Sequence, residues 1–125
     1  MQELVVIALG GAVGALARFG VSHISNVWFG SHFPYGTLIC NIMGSFLIGI
    51  AFVILTEKAL LSPVWRSAII IGFLGAFTTF STFSIQSLAL FEEGRLAAAL
   101  LYILASVVIC ILATSAGMVL GRQLP

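Results

Sequence analysis

The residues in this sequence that could do chemistry are neutral ones, and they recur at every fourth position. Thr37, Asn41 and Ser45 form one row, Thr78, Thr82 and Gln86 a second, and Tyr102, Ser106, Cys110 and Thr114 a third. Residues four apart stack on one side of a helix, so each row is a hydrogen-bonding stripe. Asn41 carries the most weight, because an amide has four hydrogen-bonding positions and is costly to leave facing hydrocarbon. For any one Ser or Thr the plain explanation is an interhelical hydrogen bond, worth about 0.6 to 2 kcal/mol in lipid. Three such stripes in one short chain favour a wetted pathway.

The second chemical signal is the run from Gly72 to Ser84, which mixes glycine, β-branched threonine and hydroxyl groups. Gly75 and the pair Thr78-Thr79 are poor helix formers, so a break is expected there, freeing main-chain carbonyls that protein or ions must satisfy. Broken helices at mid-membrane commonly form ion sites, and carbonyl oxygens are hard ligands suited to an alkali cation. Phe80 and Phe83, three apart, share a face. An aromatic ring has a positive edge, so rings presented edge-on could replace part of the water lost by a small anion, although such a pair more commonly only packs or faces lipid.

What is missing excludes other chemistries. There is no Asp, and Glu3, Glu57, Glu92 and Glu93 all fall near expected helix ends. A small dual-topology multidrug exporter, the main rival of this size, needs a membrane-embedded carboxylate that binds proton and cation in turn. His23 and His32 lie in the first loop region with no carboxylate, cysteine or nucleophile at catalytic spacing, so an enzyme is the weakest reading. Cys40 and Cys110 lack metal or redox spacing and read as small packing residues. A purely structural or holin-like subunit would explain the small residues described below, but not the three polar rows.

These side chains must be positioned by membrane helices. Of 125 residues only 7% are charged and 61% are hydrophobic, and the mean hydropathy is +1.22, whereas water-soluble domains are about 25% charged. Five basic and four acidic residues, net +1 and scattered, exclude a nucleic-acid surface. A crossing helix needs about 20 mostly apolar residues. The charges and turn residues divide the chain into four expected helices, roughly 3–27, 35–56, 67–91 and 96–121, in a single transmembrane domain spanning 1–125. A cleaved signal peptide is not expected, since the start Met1-Gln2-Glu3 carries no basic side chain. The spacings Gly10/Gly14, Ser45/Gly49 and Ala113/Gly117/Gly121 allow close helix contact. Lys58, Arg66 and Arg122 fall on the side of the termini, against Arg95, with or without Arg18, on the other. That asymmetry is weak enough to permit insertion in both orientations.

At this point a resemblance enters. The run Gly75-Ala76-Phe77-Thr78-Thr79-Phe80-Ser81-Thr82-Phe83 resembles the signature of the Fluc (CrcB) family of bacterial fluoride channels. The runs Gly10 to Phe19 and Gly36 to Phe46 are similar to that family's first- and second-helix patterns, in order and at suitable spacing, so the resemblance covers the whole chain. It implies an all-α membrane protein whose four helices, the third broken near its middle, pair as an antiparallel dual-topology homodimer. Such a dimer would be a multi-pass protein of the bacterial inner membrane. It would conduct fluoride passively through two pores at the subunit interface, export it and relieve its toxicity. Residue by residue, it implies aromatic boxes at Phe80 and Phe83, an Asn41 donor to permeating fluoride, and a polar track through Ser81, Thr82, Tyr102 and Ser106. A structural Na⁺ at the dimer centre would be held by the main-chain carbonyls of Gly75 and Thr78. Cys110 departs from the track, because a thiol donates only weakly. Arg18, roughly 21 Å along its helix at 1.5 Å per residue, would draw anions into a vestibule or simply snorkel to the interface.

Overall fold

The computed structural model describes all 125 residues, and it contains helices and no strands. Four spans are long and apolar enough to cross a membrane: Gln2–Phe29, Tyr35–Glu57, Pro63–Glu92 and Leu96–Gln123. The third begins four residues earlier than the charges suggested, because Pro63 occupies the first turn, where its missing N–H costs nothing. We label α1 as Gln2–Phe29 and α2 as Tyr35–Phe52, which runs on into a π-helical turn over Val53–Glu57. The third span comprises α3 (residues 63–77) and α4 (Phe80–Glu92), and α5 is Leu96–Gln123. Within α3 the stretch Ser67–Leu74 is π-helical.

Only 21 residues are buried, while leucines, valines and isoleucines cover the outer faces of α1, α4 and α5. That distribution suits a chain whose solvent is hydrocarbon rather than water. With four membrane-capable spans it is a multi-pass membrane protein.

Without a hydrophobic drive between helices, close packing must come from small residues. Gly10 and Gly14 of α1 meet the main chain of Ala68 and Phe73, and Gly72 sits 3.2 Å from the Gly10 Cα when a Cβ is built on it. On the other side α2 lies along α5, where Gly49 faces Gly117 and Met118, and Gly117 faces Phe46 and Ile50. Two glycine crossings thus fix α1 against α3 and α2 against α5. A Cβ on Gly14 would fall on the Phe73 backbone, whereas one on Gly20 meets nothing within 4 Å. Gly14→Val should therefore cost about 1–3 kcal/mol of stability through overpacking. Gly20→Ala should be neutral or gain up to about 1 kcal/mol. Thermal unfolding of the two variants in detergent checks this, and equal midpoints would refute the crossing.

Polar contacts tie the helix ends. Ser67 Oγ donates to Glu3 Oε1 at 2.6 Å, Arg122 holds Glu57 through two bonds of 2.6 and 3.1 Å, and Lys58 donates to the Leu124 carbonyl. Arg95 donates to the His32 carbonyl at the opposite end. All four carboxylates are accordingly near helix ends.

Candidate functional site: a groove beside two extended threonines

Thr78 (φ −88°, ψ 157°) and Thr79 (φ −152°, ψ 117°) are both extended, so the chain leaves helical geometry between α3 and α4. Gly75 itself is helical at φ −61°, ψ −35°. β-Branched threonines tolerate extended backbone well, and Thr79 then serves the next helix. Its Oγ1 accepts from the Thr82 amide at 3.2 Å, an N-cap bond at the start of α4. The same hydroxyl donates to Thr82 Oγ1 at 3.0 Å and lies 3.3 Å from Ser81 Oγ.

Two groups from α1 and α2 hold this junction. Asn41 Oδ1 accepts from the Thr79 amide at 2.8 Å, while Asn41 Nδ2 donates to the Thr79 carbonyl at 3.1 Å. Because a peptide N–H only donates and a carbonyl only accepts, this pair dictates which way the amide faces. The side-chain oxygen is committed to Thr79, and one N–H of Nδ2 remains. The Thr79 amide, which would otherwise continue the helix onto the Gly75 carbonyl, is thereby withdrawn from it. Arg18 donates from Nε to the Ala76 carbonyl at 2.9 Å. Its cation therefore sits where the carbonyl end of α3 concentrates partial negative charge.

Beside the junction lies an open groove of about 370 Å³, walled by Asn41 and Ser45 of α2, Gly75 of α3, the Thr78–Thr79 pair, Phe80 and Phe83 of α4, and Ser106 and Cys110 of α5. Phe80 is 76% exposed at its edge. Ser106 is the notable donor. It is buried, yet its Oγ has no hydrogen-bond partner in the chain, although a helical serine ordinarily bonds back to the carbonyl four residues earlier. Thr114, on the same row, is instead committed to the Ser45 carbonyl at 2.9 Å.

Leading away from the groove is a ladder of rings. Phe80 and Phe83 have centroids 5.3 Å apart, Phe83 and Tyr102 5.2 Å, and Tyr102 meets Phe33 edge-on at 5.4 Å and 82°. Tyr102 is wholly buried, and its hydroxyl donates to Gln86 Oε1 at 2.8 Å. With its oxygen so engaged, the Gln86 amide presents N–H groups beside the ladder.

Among known sequences, the family described as "CrcB-like protein, Camphor Resistance (CrcB)" matches residues 5–118. The chain belongs to the CrcB family. Curated relatives of this CrcB chain are named fluoride-specific ion channel FluC. The protein of Methylococcus capsulatus is 54% identical over 98% of the chain, that of Saccharophagus degradans 52% over 94%, and that of Magnetococcus marinus 43% over 97%. The chain spans 54% of the length of the first of these, and 88% and 98% of the other two. These relatives are named as ion channels and not as enzymes.

Of the site residues expected in this CrcB chain, Asn41, Gly75, Thr78, Phe80, Phe83 and Ser106 share the one groove. Ser81 and Thr82 instead gather at the Thr79 cap, Tyr102 stands behind Phe83, and Arg18 is bound to the end of α3. Sequence reasoning gave no role to Thr79, whose main chain is Asn41's partner, nor to Gln86, although Gln86 stands in the second polar row.

Proposed function

We propose that this chain is a fluoride-selective passive channel, and that two copies form it as an antiparallel homodimer with a pore at each interface. The observation that carries the reading is the groove in which a fixed Asn41 amide, the unpartnered Ser106 hydroxyl and the Phe80–Phe83 pair converge with no charged side chain. The FluC names of the relatives supply the ion.

Fluoride is small and strongly hydrated, so a selective path must replace lost water with donors. Here the free N–H of Asn41, the Ser106 hydroxyl and the positive ring edges of Phe80 and Phe83 offer them. No carboxylate stands in the groove to repel an anion, and no Lys or Arg to trap it, so binding stays weak enough for exit. Thr82 and Ser81 extend the polar surface beside the rings, and buried Tyr102 backs Phe83. Arg18, neutralising the carbonyl end of α3, adds a positive field near the path. Chloride is larger, and a wall of close-set rings excludes it by size. A cell interior held negative drives an anion outward by about 2.3 kcal/mol per 100 mV. A passive pore in the bacterial inner membrane is therefore enough to export fluoride and relieve its toxicity.

A single copy leaves the groove open and Phe80 exposed, which supports a second copy as the missing wall. The weak charge asymmetry permits that copy to be inverted. The Gly75 carbonyl, released by the diversion of the Thr79 amide, and the carbonyl of extended Thr78 fit a hard alkali cation in donor type. From two copies they would hold a structural Na⁺, which would supply a fixed positive charge at the dimer centre.

Cells made fluoride-sensitive by loss of their own exporters should regain growth in fluoride when they produce this chain, and continued sensitivity at normal expression would count against export. Antiparallel assembly predicts that a reporter fused to the C-terminus is found on both sides of the membrane in comparable amounts. A signal confined to one side would eliminate it.

A further inference from the structure

We infer that Gly44 is a positioning residue: by lacking a side chain it seats Thr78, and so keeps the Thr79 peptide in register with Asn41. The inference deepens the proposed fluoride path and rests on it for its effect on conduction.

Gly44 follows Asn41 by three residues on α2, so both face the junction between α3 and α4. Asn41 grips the Thr79 main chain. Gly44, which is buried and walls the same groove, is covered by the Thr78 side chain. A Cβ built on Gly44 would fall inside the van der Waals envelope of Thr78 Cγ2, with Phe77 Cδ2 next at 3.4 Å. Thr78 has no free rotation with which to yield, because its Oγ1 donates to the Leu74 carbonyl at 3.0 Å, and a β-branched side chain has few χ1 wells. Turning the methyl away breaks that bond. Keeping the bond and moving the backbone carries the adjoining Thr79 peptide off Asn41, which frees the Asn41 oxygen to face the groove. Among the groove glycines, Gly75 lacks this constraint, since its added Cβ would meet only the Ile70 carbonyl, at 3.6 Å.

The contact is between one absent atom and one methyl, so it can be tested by removing the methyl. Gly44→Ala is made in the native background and in a Thr78→Ser background, which keeps the hydroxyl and deletes Cγ2. Fluoride efflux from liposomes and amide hydrogen exchange at Thr79 are measured for all four proteins, each as purified full-length chain of matched elution volume. In the native background Gly44→Ala should lower efflux at least about tenfold and expose the Thr79 amide, whereas in the Thr78→Ser background the same change should cost less than about threefold and leave the amide protected, as expected for directly coupled sites. If Gly44→Ala cannot be purified in the native background, recovery of a monodisperse protein in the Thr78→Ser background is the same rescue. An equal loss of efflux and protection in both backgrounds, or no loss in either, overturns the inference. Should the native chain pass no fluoride, the proposed function fails, while the exchange data still decide whether Gly44 seats the junction.

Discussion

Asn41→Asp is expected to lower fluoride efflux from liposomes at least about a hundredfold. The substitution is isosteric, so a loss of that size would come from chemistry rather than volume. In the native chain Nδ2 donates to the Thr79 carbonyl at 3.1 Å and Oδ1 accepts from the Thr79 amide at 2.8 Å. A carboxylate keeps the second bond and loses the first, placing an oxygen against an oxygen. Leaving that carbonyl unpaired costs about 1–3 kcal/mol, and each 1.36 kcal/mol is about tenfold in rate. The same change deletes the N–H offered to fluoride and installs a negative charge on an anion path. A protonated Asp restores a donor, so partial recovery on acidification to below the carboxyl's own titration would support this division of causes. Efflux within about twofold of the native chain at neutral pH would remove Asn41 from the path.

Phe80→Ile should lower efflux at least about tenfold while leaving the fold of the chain intact. Phe80 is 76% exposed in the single chain, whereas Phe83 is 8% exposed and packs on Tyr102. Within one copy Phe80 meets a single other ring, Phe83, so the isoleucine leaves the buried core of the subunit in place. The isoleucine keeps apolar bulk but has no ring edge, so reduced conduction with an unchanged circular-dichroism melt and elution volume would assign the effect to the edge. Phe83→Ile is the less clean probe, because it also opens the core around Tyr102. Native efflux in Phe80→Ile would place the anion path elsewhere.

Much of the fold was legible because charge is so sparse. Each charged cluster ends a span, and the glycine pairs Gly10/Gly14 and Gly49 with Gly117 became helix crossings, as small-residue spacing implied. The start of α3 was placed late because Pro63 reads as loop punctuation, although proline is also a natural first helical residue. In the site, Asn41 stood out because a membrane-depth amide demands partners. Its partner did not, since main-chain groups carry no sequence signal and Thr79 N–H becomes available only when ψ at Thr78 turns extended. The third polar row shows the same limit. Ser106 and Thr114 stand on one row, but eight residues at 3.6 per turn set them about 80° apart around α5, and one hydroxyl bonds a neighbouring carbonyl while the other is unpartnered. That difference depends on which carbonyl α2 presents at each level, which periodicity does not encode. Arg18, expected to draw anions into a vestibule or to snorkel, donates to the Ala76 carbonyl, a partner the sequence does not reveal. Helix length gave its depth along α1 but not the half-helix beside it.

The measurement bearing most directly on the central claim is ion efflux from liposomes that contain only this protein, followed with fluoride and chloride electrodes in parallel and with no pH gradient imposed. Rapid fluoride release, with chloride retained at the level of protein-free liposomes, is the result expected of a groove lined by neutral donors and ring edges. Equal release of both ions, or fluoride release that requires a proton gradient, would contradict a selective passive channel.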